Sequence, residues 1–225
     1  MARGRRSNPL ALAVLMCLYE RPMHPYEVAA TLRERGKHES VRLNYGSLYA
    51  VVGSLERAGL IEAAEVVREG RLPERTVYRI TDAGRLEAHD WLADLIAEPV
   101  KEYPAFEAGL SFLPALAPQE AQELLERRLF ALDLAIALWQ GARELIERRG
   151  LPRLLWVEGE YAATLREAER GYVARLLADI AAGELDGIDW WRELHAGDLA
   201  DAPPPPGYPY VEPAANPLDD GKEQR

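Results

Sequence analysis

Residues 44–85 read NYGSLYAVVGSLERAGLIEAAEVVREGRLPERTVYRITDAGR, and this stretch decides the fold. Leu48, Val51, Val52 and Leu55 recur at helical spacing, so a helix starting near residues 44–47 carries one apolar stripe. Gly59 stands where a left-handed C-terminal cap belongs, and Leu60-Ile61 resume an apolar run. Ile61, Ala63, Glu65 and Val67 then alternate, a polar loop covers residues 68–74, and Thr76, Tyr78 and Ile80 alternate on the return. Two β-rich runs around a loop holding Gly70 and Pro73 predict a hairpin. Thr81 follows as an N-cap, with Asp82 in the first turn of another helix.

Upstream, the pattern predicts two more helices. The first spans residues 9–19, with Ser7 or Asn8 as N-cap and Pro9 at the first helical position. The second begins near Pro25, carries Tyr26, Val28, Ala29 and Leu32, and ends at Gly36 before a polar link over residues 37–42. Downstream of Thr81, a fourth helix carries Leu86, Leu92, Leu95 and Ile96 and ends before Pro99. Three helices, a hairpin and a further helix within about 90 residues follow the order of a winged helix-turn-helix domain.

Arg3, Arg5 and Arg6 ahead of the apolar run over residues 10–19 mimic a signal peptide. However, Glu20-Arg21-Pro22 follow that run without a small-residue cleavage pattern, so a globular helix is the better reading. No other stretch approaches the roughly 20 apolar residues of a membrane span. The single cysteine, Cys17, lies in an apolar run and reads as a small buried hydrophobe. One thiol forms no internal disulfide, in keeping with a reducing cytoplasm.

Beyond Pro99 the chain changes character. Residues 99–118 form a broken segment with Tyr103, Phe106 and Phe112 among prolines. A long helix starts at Pro118, and its Leu125, Leu129, Leu132, Ile136 and Trp139 step by four and three like a heptad seam. Gly150 and Pro152 end it, and a second long helix over residues 152–182 carries Tyr161, Leu165, Ala168, Tyr172, Leu176 and Ile180 on one face. Such a pair forms a helical hairpin, and neither stripe is fully covered by the other, so a partner subunit is expected. The fold class is therefore mainly α, an N-terminal winged helix-turn-helix plus a C-terminal long-helix hairpin for dimerisation. The expected divisions are 1–97 for the winged helix, 98–117 for a linker, 118–200 for the helical dimerisation domain and 201–225 for a disordered tail rich in proline.

Charge divides along the same line. The whole chain carries −10, but residues 1–89 hold 14 basic and 11 acidic side chains, while residues 90–225 hold 13 and 26. A mildly basic N-terminal part on an acidic remainder suits a small DNA reader joined to another module.

These residues resemble the PadR family of transcriptional regulators, in its longer form with a helical C-terminal domain. Met23-His24-Pro25-Tyr26-Glu27 is similar to the family's His-Gly-Tyr-Glu start of helix two. Gly46-Ser47-Leu48-Tyr49 and Leu55-Glu56-Arg57-Ala58-Gly59-Leu60-Ile61 resemble its recognition helix and the exit from it. Tyr78-Arg79-Ile80-Thr81-Asp82-Ala83-Gly84-Arg85 resembles the close of its wing, and Phe112-Leu113 with Ala117-Pro118-Gln119-Glu120-Ala121 the opening of its C-terminal domain. The likeness covers residues 8–182, with Pro25 in place of the usual glycine. It implies a homodimer that binds a double-stranded DNA operator. Repression, and release by a small hydrophobic or aromatic effector, are implied in the same way.

The third helix would enter the major groove with its N-terminal end, which places Asn44, Tyr45, Ser47 and Tyr49 as candidate readers. Ser47 reads equally as a plain N-cap, and Tyr49 as a ring packed on helix two. Arg71 and Arg75 flank the wing loop and suit phosphate or minor-groove contact, diluted by Glu69 and Glu74; solvated surface arginines are the alternative. Arg3, Arg5 and Arg6 form a basic arm. Trp91, Phe106, Trp139, Trp156 and Tyr161 are candidates for an effector pocket, although aromatic residues at helical spacing more often form core. Trp190 and Trp191 receive no assignment.

An enzyme is not expected, because no P-loop, dinucleotide or zinc-protease motif occurs and Gly46-Ser47 lacks the second glycine of a nucleophile elbow. His24, His38, His89 and His195 are dispersed without cysteines, so no metal or other cofactor is expected. The rival reading is a winged-helix protein-interaction module that does not bind DNA.

Overall fold

The computed structural model describes residues 8–67 and 75–197 together with Gly207. The chain divides into two compact units, Met1–Glu102 and Tyr103–Arg225. The wing loop at 68–74, the basic arm at 1–7 and the tail from 201 onward, Gly207 apart, lie outside the described residues.

The first unit contains α1 (Pro9–Glu20), α2 (Pro25–Glu34), α3 (Tyr45–Arg57), β1 (Ile61–Val67), β2 (Arg75–Ile80) and α4 (Asp82–Ala97). Asn8 caps α1 by accepting from the Leu10 N–H at 3.1 Å, and Pro9 supplies a first-turn position that needs no donor. Being almost wholly apolar, α1 sits centrally and touches α2, α3, α4 and β2. Its Leu10, Val14, Leu15 and Leu18 meet Val28 and Leu32 of α2, Leu48, Val52 and Leu55 of α3, and Ile61 and Ile80 of the hairpin in one core. Cys17 belongs to that core, and burial pushes its thiol above the ordinary value, so it stays protonated.

β1 and β2 pair antiparallel from Ile61↔Ile80 to Val67↔Arg75, with a bulge between Ala63 and Glu65. Met23 adds a one-residue bridge to Tyr78, each N–H donating to the other carbonyl at 3.0 Å, so the segment before α2 is pinned to the wing.

The exit from α3 fixes how the wing and α4 leave it. Gly59 adopts φ +70, its N–H donates to the Glu56 carbonyl at 2.8 Å, and the Leu60 N–H donates to the Leu55 carbonyl at 3.0 Å. This Schellman turn satisfies two end carbonyls of α3. The Leu60 carbonyl then accepts from the Thr81 N–H at 3.0 Å, and the Thr81 hydroxyl donates to the adjacent Gly59 carbonyl at 2.8 Å. The same hydroxyl accepts from the Gly84 N–H at 3.1 Å and so caps α4. Gly84 lies so close that an added Cβ would stand 2.0 Å from the Leu60 oxygen.

That close approach changes the reading of α4. Its inward stripe is Gly84, Ala88 and Trp91, whereas Leu86, Leu92, Leu95 and Ile96 are exposed. In α2, likewise, Val28, Ala29 and Leu32 face the core and Tyr26 faces solvent.

The second unit contains α5 (Ala105–Ser111), α6 (Pro118–Arg148), α7 (Val157–Ala182) and α8 (Ile188–Leu194). Two of these, α5 and α8, are absent from the sequence reading. The segment expected as a broken linker contains α5, and its Phe106 and Leu113 pack on the core of this unit. The long helices pair along their length, joined through a turn at Gly150 and stitched by Arg128–Glu169 and Arg170–Asp133 ion pairs. Leu125 is buried, and Leu129 and Leu132 are partly buried, in the shared core with Val173 and Ile180. Tyr161, Leu165 and Tyr172 of α7 lie on an outer face, as do Phe130, Leu134 and Leu138 of α6. Trp191, without an assignment from sequence, is a core residue here, and its indole N–H donates to the Leu116 carbonyl at 2.8 Å. Among the described residues, no helix is long and apolar enough to cross a membrane.

Gly84→Ala is expected to destabilise the first unit by about 2–3 kcal/mol, as overpacking against fixed backbone does. Urea denaturation followed by far-ultraviolet circular dichroism reads this loss, and a midpoint equal to that of the parent would contradict the close approach.

Candidate nucleic-acid interface

α3 starts at Asn44, whose extended backbone (φ −131, ψ 132) turns the side chain back onto the helix end. Its Oδ1 accepts from the Gly46 N–H at 2.9 Å. Asn44, rather than Ser47, is thus the N-cap, and part of its hydrogen-bonding capacity is spent on the helix. Leu48, Val51, Val52 and Leu55 hold α3 to the core. Tyr45, Gly46, Ser47, Tyr49 and Ala50 are all exposed, so the first turns of α3 present a continuous outer surface.

Two residues on α2 shape that surface. Tyr26 stacks on Tyr45 with ring centroids 6.4 Å apart and planes 12° from parallel. Arg33 lies over the other part of the Tyr45 environment, its guanidinium carbon 4.6 Å from the ring centroid, and donates to the Tyr45 hydroxyl at 2.7 Å. Tyr45 is therefore in contact with two side chains of α2 before any ligand arrives. The sequence reading placed Tyr26 on the apolar stripe of helix two and not at this surface, and did not single out Arg33. Their signal was present, because they stand seven residues apart on α2, on the face away from Val28 and Leu32. Tyr49 is 54% exposed and projects from α3 rather than packing as a core ring.

The approach to α2 is fixed by a reciprocal cap. The His24 Nδ1 accepts from the Tyr26 N–H at 3.0 Å, and the Glu27 carboxylate accepts from the His24 N–H at 2.8 Å. A ring nitrogen that accepts must be unprotonated, which places the ring proton on Nε2. Burial, then the neighbouring Arg75 guanidinium, hold the imidazole below its ordinary value, against an opposing pull from Glu27. Arg75, exposed at the start of β2, is thus close enough to be felt by the cap of α2. Arg71 lies outside the described residues. On the inner side of the wing, the Tyr78 hydroxyl donates to the Glu56 carboxylate at 3.4 Å and ties β2 to α3.

Of the five aromatic candidates for an effector pocket, Trp91 lies in the first unit and Phe106, Trp139, Trp156 and Tyr161 in the second. Trp91 is buried in the core of the first unit. In the second unit, Trp139 and Trp156 pack with centroids 6.1 Å apart, and Trp139 covers Gly159, where a Cβ would stand 2.3 Å from the ring. Those two rings are the packing that closes the helical hairpin. Phe106 lies under the Arg128 guanidinium at 3.6 Å, and Tyr161 is 67% exposed. Among the described residues, no group of three or more histidine, cysteine or acidic side chains is placed to hold a metal ion.

A helix presented end-on beside a β-hairpin wing, on a three-helix core, defines the chain as a winged-helix transcriptional regulator. Residues 14–90 match the Transcriptional regulator PadR-like family. The negative transcriptional regulator PadR of Bacillus subtilis (strain 168) is 26% identical over 179 residues, 76% of this chain and 96% of that protein. The crystal structure of Bacillus subtilis PadR in complex with operator DNA has a TM-score of 0.63 at 21% identity, covering 77% of this chain and 99% of that one. The Bacillus subtilis PadR structure in complex with p-coumaric acid has a TM-score of 0.62 at 20% identity, covering 76% and 98%. At these identities the structural likeness establishes the shared fold.

The His24 cap carries a pH signature. A lowered folded value means that the unfolded chain takes up this proton first as pH falls. The contribution of the cap is present above the unfolded value of about 6.5 and is lost as pH drops through the folded value. Thermal unfolding between about pH 5 and pH 7.5 is expected to show this decline, and His24→Asn, which keeps an acceptor but cannot titrate, to flatten it. An identical pH slope in the variant would remove His24 as its source.

Proposed function

We propose that the protein is a DNA-binding repressor that acts as a homodimer on a double-stranded operator and is released by a small hydrophobic or aromatic effector. The observation that carries this reading is the exposed N-terminal half of α3, with Tyr45 clamped by Tyr26 and Arg33 and with Ser47 and Tyr49 beside it. A rigid amphipathic ring with a hydroxyl suits the sugar-phosphate wall of a major groove, while the first turn of a helix suits a phosphate oxygen. Tyr45, Ser47 and Tyr49 are the proposed readers. Asn44 contributes through its amide, because its carbonyl oxygen already serves the cap. Arg71 and Arg75 supply phosphate contact from the wing.

Dimerisation is assigned to the second unit. Phe130, Leu134 and Leu138 on α6 and Tyr161, Leu165 and Tyr172 on α7 are large apolar side chains left exposed there. Contiguous apolar surface of this kind marks a protein interface. Dimeric helix-turn-helix proteins read two half-sites about one DNA turn apart. The complex of Bacillus subtilis PadR with operator DNA and that with p-coumaric acid support both halves of the reading, the operator and the effector. The protein works in the cytoplasm and catalyses no reaction of its own.

A gel-shift titration on the DNA upstream of its own gene, at several salt concentrations, tests the reading. The expected result is binding that weakens steeply with salt. Arg71→Ala with Arg75→Ala should lower affinity on all sequences and flatten the salt slope by up to about two. Absent or salt-insensitive binding by the parent protein would instead favour a protein-interaction module.

A further inference from the structure

The positive charge of the winged-helix unit comes from one short stretch. Of the 14 basic residues among 1–89, Arg3, Arg5 and Arg6 are three, and the 11 that remain in residues 8–89 meet 11 acidic ones. Without residues 1–7 the winged helix is therefore neutral. Several of its cations are also committed elsewhere: Arg21, Arg35 and Arg79 pair with Glu27, Glu20 and Glu62, and Arg33 donates to Tyr45. Within α3 the charges are Glu56 and Arg57, both in its last turn. The first turns of α3, which face a major groove under the proposed function, thus carry no cation of their own. Affinity for DNA needs such charge, because released counterions supply a large share of it.

The structure shows where the three arginines join the fold. Asn8, the N-cap of α1, and Ala11 share a cleft with Ser47, Ala50 and Ser54 of α3. Tyr45, two residues before Ser47, meets Tyr26 and Arg33 of α2. Two residues turn a helix by about 200°, so α2 and the start of α1 flank α3 on opposite sides. The chain ahead of Asn8 therefore enters at the edge of the recognition helix, on the flank away from α2. Arg3 stands five residues before Asn8, a reach of up to about 17 Å. A major groove is about 12 Å wide and a minor groove about 6 Å, so that reach spans from the side of one into the other.

The composition of the stretch suits the narrower groove. Ala2, Gly4 and Ser7 are small, no acidic residue precedes Glu20, and all three cations are arginines rather than lysines. A guanidinium is less strongly hydrated than an ammonium, so it enters a narrow cleft at lower cost. The narrow minor grooves of A·T tracts concentrate negative potential, which draws arginine into them. We infer that residues 1–7 are a second DNA-reading element: Arg3, Arg5 and Arg6 enter the minor groove beside the major groove that receives α3, and favour A·T-rich steps there. This inference rests on the proposed DNA-binding function and adds to it a contact on the flank of α3 opposite α2.

The test compares the parent with a variant carrying Arg3→Ala, Arg5→Ala and Arg6→Ala together, on the DNA upstream of its own gene. The Asn8 cap of α1 and the core are untouched by these changes. Two properties are measured: the salt dependence of affinity, and methylation interference, in which adenine N3 reports the minor groove and guanine N7 the major. The expected result is affinity lowered about tenfold or more and a salt slope flattened by about two to three. Interference at adenines flanking the guanine cluster should be lost, while the guanines still interfere. Unchanged affinity, slope and adenine pattern would overturn the stretch as a DNA contact. A flattened slope with the adenine pattern of the parent retained, or with no adenine interfering in the parent, would overturn the groove assignment in favour of phosphate contact. A parent that binds no DNA sinks the proposed function and this inference with it, whereas the other outcomes leave that function standing.

Discussion

The winged-helix unit turns on one carbonyl oxygen, that of Leu60. It accepts the Thr81 N–H, while the Thr81 hydroxyl donates to the neighbouring Gly59 carbonyl, and Gly84 lies so close that a Cβ there would stand 2.0 Å from it. Through it the end of α3, the first residue of β1, the last of β2 and the first turn of α4 are fixed to one another. Gly59 makes the arrangement possible, since the chain must reverse at φ +70 directly after α3. If this junction loosens, the wing and the recognition helix no longer hold a defined angle. A reader of DNA depends on that angle, because phosphate contacts set register only when they arrive from fixed directions.

From this junction outward, the interface is built by capping and stacking rather than by burial. Asn44 caps α3 and His24 with Glu27 caps α2, each contribution being of about 1 kcal/mol. Arg33 over Tyr45 adds about 0.5–1 kcal/mol at an exposed site. These are small terms, but they act on side chains that the core does not hold. Their effect is to reduce the motion of Tyr45 before binding, which lowers the ordering cost of any complex it joins. The second unit is held differently, by a seam along α6 and α7 closed at one end by Trp139 over Gly159.

Much of this was legible in the sequence where the signal is local. The stripe of Leu48, Val51, Val52 and Leu55, the glycine after α3, the alternation of the hairpin and the Thr81 cap each depend on neighbours a few residues away. Where distant elements meet, the reading failed. The leucines of α4 looked like its inward stripe, yet contact with the Leu60 backbone demands glycine and alanine there and turns the leucines outward. Asn44 and Ser47 are both good caps, and only the extended backbone at Asn44 distinguishes them. Tyr26 and Arg33 gain meaning only once α2 lies against α3. α5 is too short and too enclosed by prolines to show a period. Trp91 was singled out with four other aromatic residues, yet it is buried in the core of the first unit, where α4 packs on α1.

The central claim is that α3 reads DNA from the major groove in a two-fold arrangement. Methylation interference at guanine N7, which lies in that groove, tests it most directly. The account predicts two clusters of interfering guanines about one helical turn apart, related by the symmetry of the operator. Strong binding to DNA methylated throughout the protected region, with no guanine interfering, would contradict it.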